Sequence, residues 1–154
     1  MIRINVIINH EKWSHYIKTP NRYIDKKVKK LNLKTKIFKK KIINCTLLLS
    51  GNKEIKKLNK RFRKKNKSTD VLSFPFYTKK DLVKIIKDEN EIYLGDIIVN
   101  LNQLIGKKNQ KFSFYEFDKI WVHGLVHLLG HDHKNERDFK AMNKLEKKYL
   151  EHIK

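Results

Sequence analysis

The chain has one cysteine, two prolines, five glycines and one alanine, and its 16 acidic residues are outnumbered by 37 basic ones. The lone cysteine, Cys45, excludes an internal disulfide framework and the small secreted domains that depend on one. It lies inside the apolar run IINCTLLLS, where a small core side chain is its expected role. No apolar stretch approaches the roughly 20 residues of a membrane span. The opening MIRINVIINHEKW has no signal-peptide layout, because Arg3 and Asn5 interrupt it and no small-residue cleavage site follows. These absences predict a cytoplasmic protein without membrane attachment. There is also no internal repeat, low-complexity linker or break in composition.

What is present is enough for one domain with a real core over residues 1–154, since 40% of the chain is hydrophobic. The formal net charge of +21 suits a polyanionic partner, most commonly a phosphate backbone. Lysine outnumbers arginine 32 to 5, however, and Lys, Asn and Ile share A/T-rich codons. Coding composition therefore accounts for part of the excess, and charge alone supports nucleic-acid binding only weakly.

Ile2, Ile4, Val6 and Ile8 alternate, as in a half-buried strand. Residues 20–31 read as a helix with Pro20 near its start, and 42–49 as a second strand apolar enough to be central. Asn52 is a candidate cap for a helix running to about Phe62, with Ile55, Leu58 and Phe62 inward. Segment 34–41 is mostly lysine, a solvated loop that can also touch phosphate. Arg61 to Lys67 reads as a basic loop, Val71 to Phe74 as a short strand placed at an edge by Pro75, and Tyr93 to Val99 as a fourth strand. Residues 77–91 suggest at most a helical turn near Leu82 to Ile86. Helices follow at about 101–107, 114–129 and 136–150, the last with Phe139, Met142, Leu145 and Tyr149 inward. The order β-α-β-α-β-β-α-α-α reads as α+β, a small mixed sheet with helices packed against it.

The most informative segment is WVHGLVHLLGHDH, residues 121–133. His123 and His127 are one helical turn apart and can point both imidazoles at one ion. Gly130 suits the left-handed conformation that closes a helix, so the chain can turn back and bring His133 to the same place. Three neutral imidazoles with an open fourth position describe a catalytic Zn2+ site, one per chain, better than a structural one; copper, nickel and iron also accept such ligands. His131 is the alternative third ligand, but the His-x-x-Gly-x-x-His spacing of helical zinc enzymes favours His133. His131 then becomes a pocket residue, and Asp132 is a candidate for orienting an imidazole. Ser113 and Glu116 fit a capping box, and Phe112 with Phe117 fits a hydrophobic staple at the start of this helix.

In zinc peptidases a general-base glutamate follows the first histidine. Here that position is Gly124, which argues against peptidase chemistry and leaves any base to come from elsewhere or from water on the metal.

HGLVHLLGHDH, LNKRFRKKNKSTDVLSFPF and YLGDIIV together resemble, in order and spacing, the bacterial YbeY family of metal-dependent endoribonucleases. The resemblance covers most of the chain; the N-terminal third adds only its strand–helix–strand layout. It implies a zincin-like α+β fold, a zinc ion on His123, His127 and His133, and cleavage of single-stranded RNA. It further implies roles in ribosomal RNA maturation, especially at the 16S 3′ end, and in ribosome quality control, with the small ribosomal subunit and its assembly factors as partners. The family's functional arginine falls on Arg63 in the stretch Leu58-Asn59-Lys60-Arg61-Phe62-Arg63. A guanidinium there can bind two non-bridging phosphate oxygens at once. Arg61, Lys64, Lys65 and Lys67 are candidate RNA contacts. The chain departs from the family at His131, where Tyr is usual, and at Leu125-Val126, where Ser-Leu or Thr-Leu is common. Two competing readings are a non-catalytic RNA-binding assembly factor with a structural zinc and a metallopeptidase.

Overall fold

Two apolar segments, residues 2–8 and 42–50, set the frame. β1 (Ile2–Ile8) alternates buried and exposed side chains, and β2 (Ile42–Ser50) does the same with its apolar set inward. Both join a four-stranded sheet of order β1-β2-β4-β3, with β3 spanning Val71–Pro75 and β4 Glu91–Asn100. β1, β2 and β4 are parallel, and β3 pairs antiparallel with β4 at the edge. A parallel pair needs a crossover, supplied for β1 and β2 by α1 (Pro20–Lys34). α2 is Asn52–Arg63, α3 Lys79–Asp88, α4 Leu101–Leu104, α5 Phe114–Leu128 and α6 Glu136–Ile153. This computed structural model describes residues 1–35, 40–106 and 111–154. Residues 36–39 of the lysine-rich segment, and residue 107 of the helix expected over 101–107, lie outside them.

The α+β reading of the sequence holds. α1 lies on β1 and α5 on β3 and β4, while α6 packs against both helices. The main core fills this side, with Trp13, Trp121, Tyr149 and Phe117 as its largest fully buried side chains and Cys45 among its members. Burial pushes the Cys45 thiol up to about 12, so it is an inert apolar filler. α2 covers part of the other face through a small cluster of Ile55, Leu72 and Ile98.

Four expectations need correction. Residues 77–91 contain a full helix, α3, capped by the Thr78 hydroxyl accepting from the Asp81 amide. Its apolar face is narrow, with Leu82 buried and Ile85 and Ile86 partly so, which hid it among charged residues. α4 is one turn, not a helix to 107. Phe62 and Phe139 point outward, 57% and 55% exposed, because α2 and α6 bury narrower stripes than their apolar content suggests. Asn52 is not the cap of α2: Gly51 holds that place, and Asn52 is the first helical residue.

The Asn52 side chain instead joins a buried polar knot. Asn100, fully buried, donates from Nδ2 to Asn52 Oδ1 (2.7 Å), Ser68 Oγ (2.9 Å) and the Thr69 carbonyl (2.9 Å), and its Oδ1 accepts from the Asn102 amide. Asn59, 3% exposed, donates to the Lys67 carbonyl at 2.8 Å. These two amides fasten the segment between α2 and β3 to the sheet. Asn100→Ala should therefore lower stability by about 2 kcal/mol or more, because it strands buried partners without water. A urea midpoint equal to wild type would show that the knot contributes nothing.

Candidate active site

α5 carries the histidine pair, and its sequence explains its placement. Ser113 caps it, accepting from the Glu116 amide at 3.2 Å, and the Phe112 and Phe117 rings meet at 6.1 Å as a staple requires. Asp118 fixes its rotation from the buried side: it accepts from Tyr23 Oη (2.9 Å) and Trp121 Nε1 (3.0 Å) and pairs with Lys27 at 2.8 Å. At the far end Gly130 has φ +85°, its amide donates to the His127 carbonyl, and the His131 amide donates to the Val126 carbonyl. These two bonds form a Schellman closure, which throws residues 131–133 back toward the helix face.

His123, His127 and His133 consequently each present a ring nitrogen within 4.8 Å of the others. His123 Nδ1 donates to Glu146 Oε1 on α6 at 2.7 Å, and His127 Nδ1 donates to the His131 carbonyl at 3.0 Å. Both partners are acceptors only, so each neutral ring carries its proton on Nδ1. The two Nε2 atoms then face each other as lone pairs, 3.1 Å apart. Two acceptors at that distance repel unless a cation lies between them. Two nitrogens bound at about 2.0–2.1 Å to one tetrahedral zinc are separated by roughly 3.3 Å, so the donor set fits such an ion. His127 titrates below its ordinary value, through burial first and then the neighbouring His123. Both effects keep it neutral and able to ligate.

Glu146 went unnoticed in the sequence. It sits 23 residues from His123 in a helix crowded with charge, and only the packing of α6 on α5 gives it a role. Conversely, Asp132 does not orient an imidazole. Its Oδ1 accepts from the His133 amide and its Oδ2 lies 3.4 Å from Lys134 Nζ, so the carboxylate stabilises its own turn. His131 stays outside the triad. Its ring lines a neighbouring cleft of about 860 Å³ with Tyr77, Lys79, His127 and Arg137. Burial first, and then Lys79, hold it below its ordinary value.

Gly124 is where α5 comes closest to the sheet. A Cβ there would lie 2.6 Å from Ile97 Cγ2 and 3.2 Å from Ser73 Oγ. The position that holds the peptidase glutamate therefore faces packed sheet, which leaves no room for a carboxylate and removes the peptidase reading. Arg63 is the last residue of α2, so Arg61 and Phe62 are also helical and the basic loop begins at Lys64. Arg63 is exposed, and its Nη2 donates to the Ser73 carbonyl at 3.1 Å. Arg63 is thus tied to the β3 residue whose side chain rests on Gly124. The Arg61 guanidinium lies over the Phe62 ring at 5.3 Å. Lys64 adopts a left-handed backbone (φ 57°) that ends α2, and Lys64, Lys65 and Lys67 are exposed.

Removing the negative charge opposite His123 should loosen the site without disturbing the core. Glu146→Gln is expected to weaken zinc binding about 10- to 100-fold, by analogy with other outer-sphere partners of metal-bound histidine, with unchanged far-ultraviolet circular dichroism. Competition against a chromophoric chelator measures it; an affinity equal to wild type would remove Glu146 from the site.

Comparison with known proteins agrees with this geometry. The family model described as Endoribonuclease YbeY matches residues 6–154. A Pelagibacter ubique protein named Endoribonuclease YbeY is 45% identical over 150 residues, covering 95% of this chain and 92% of that one. Its Ehrlichia canis namesake is 32% identical over 156 residues, covering 99% and 93%. The solution structure of a Thermotoga maritima protein superposes with a TM-score of 0.54 at 27% identity, covering 99% of this chain and 89% of that one. The chain belongs to the YbeY endoribonuclease family.

Proposed function

We propose that the protein is a zinc-dependent, single-strand-specific endoribonuclease acting in ribosomal RNA maturation at the 16S 3′ end and in ribosome quality control. The observation that carries the reading is the convergence of the three imidazoles with both α5 histidines fixed as Nδ1–H tautomers. Zinc, when bound there, supplies Lewis acidity toward a phosphate oxygen or water. The chain's own residues do the rest. Glu146 and the His131 carbonyl hold the rings in register, and the Gly130 turn delivers His133. Arg63 is assigned to the scissile phosphate: one guanidinium donor is anchored on Ser73, which leaves others for non-bridging oxygens as negative charge builds. Arg61, Lys64, Lys65 and Lys67 are assigned to flanking phosphates.

On this reading the whole of residues 1–154 forms one catalytic domain. The small ribosomal subunit and its assembly factors are its partners, and the cytoplasm is its compartment. Among the described residues no helix is long and apolar enough to cross a membrane.

The test is cleavage of an end-labelled single-stranded RNA carrying the 16S 3′ end. His127→Ala should abolish cleavage while RNA affinity changes by no more than a few fold. Equal cleavage by wild type and variant would place the chemistry elsewhere and leave an RNA-binding assembly factor as the better description. Arg63→Ala should lower the cleavage rate by about 10²–10³, the usual cost of losing one donor to developing charge, with zinc content unchanged. Wild-type turnover in a folded Arg63→Ala protein would remove that residue from the site.

A further inference from the structure

Phe76 is the most exposed aromatic side chain among the described residues, at 68%. A single exposed ring needs no explanation; its surroundings are what matter here. Phe76 follows Pro75 at the end of β3, and its amide donates to the Leu94 carbonyl at 2.8 Å. The ring is thus mounted on a continuing sheet rung rather than on a loose loop. It meets the Tyr77 ring at 5.0 Å and 77°, and the Tyr93 ring at 6.3 Å and 73°. Tyr93 is itself held by Thr46 at 2.8 Å and Asp96 at 2.6 Å. Pro75 and Tyr77, on either side of Phe76, both line the cleft that contains His127 and His131. Lys79 and Arg137 line the same cleft, and neither makes an ion pair among the described residues.

We propose that the Phe76–Tyr77 corner at the end of β3 is a stacking platform for one unpaired nucleobase of the substrate, with Lys79 and Arg137 gripping the adjoining phosphates. The proposal rests on the endoribonuclease reading and extends it to a specificity-determining contact. A flat, rigid, exposed ring beside cations fits a base with its phosphate better than it fits an apolar side chain, and bases stack on aromatic faces whatever their sequence. In a duplex the base faces are already occupied by neighbours. The corner therefore selects single strands at a place next to the triad, which the three histidines cannot do alone.

The test is equilibrium binding of short single-stranded oligoribonucleotides carrying 2-aminopurine at successive positions. The proteins are wild type, Phe76→Ala, Phe76→Leu and Phe76→Trp, each zinc-loaded. Losing one stacked base should weaken binding on the order of 5- to 150-fold in the Ala and Leu variants, and Trp should restore it. Wild type and the Trp variant should quench 2-aminopurine at one position, and Leu should not. Thermal midpoints should stay near wild type, since the ring is exposed. Wild-type affinity and quenching in Phe76→Leu would overturn the platform while leaving the endoribonuclease reading intact. Failure of wild type itself to bind single strands would overturn both.

Discussion

Two lone pairs held 3.1 Å apart are the constraint on which this molecule turns. Imidazoles left to themselves would rotate or share a proton. Here Glu146 and the His131 carbonyl each occupy an Nδ1 proton, so neither ring can relax by changing tautomer. The unfavourable contact is therefore built into the fold and is relieved by a cation. The burial of α5 against Phe117, Trp121 and Leu125, the Asp118 anchor and the Gly130 closure all serve to hold that contact in place. Such preorganisation places the energetic cost in folding rather than in the binding step.

The same helix must also lie close to the sheet, and Gly124 permits it. A side chain at 124 would push α5 off Ile97 and Ser73. It would thereby separate the histidines from β3, the strand to which Arg63 is tied. Metal ligands and candidate phosphate ligand thus come from different elements, joined through one close approach. The peptidase arrangement uses this helix position for a base; this chain uses it for packing.

The parts of the site that follow local rules were legible in the sequence. The i, i+4 pair, the Ser113 cap and the glycine turn are short-range patterns with fixed geometry, and each stands where its spacing puts it. Glu146 was not legible, because a glutamate in a lysine-rich amphipathic helix carries no mark of what packs beside it. Asp132 misled for the opposite reason: proximity in sequence suggested an imidazole partner, but a residue inside a tight turn reaches its own backbone amides first. Phe62 and Phe139 were read inward on apolar content alone, whereas helix orientation decided the matter. α3 was nearly missed since its buried surface is little more than Leu82.

The +21 charge can now be divided by location. Lysines spread over α1, α2 and α6 are solvated and agree with coding composition. Those between Arg61 and Lys67 differ, because Asn59 and Asn100 fasten the backbone of that segment to the sheet. Two buried amides, each fully engaged, are an expensive means of fixing a surface stretch that has no core of its own. A purely solvated loop has no need of them. Rigid placement matters only where the charges must meet another charge at a set position, and this segment leads directly from Arg63 into β3 beside the metal helix. It is the fastening, more than the lysine count, that argues for a polyanion on this face.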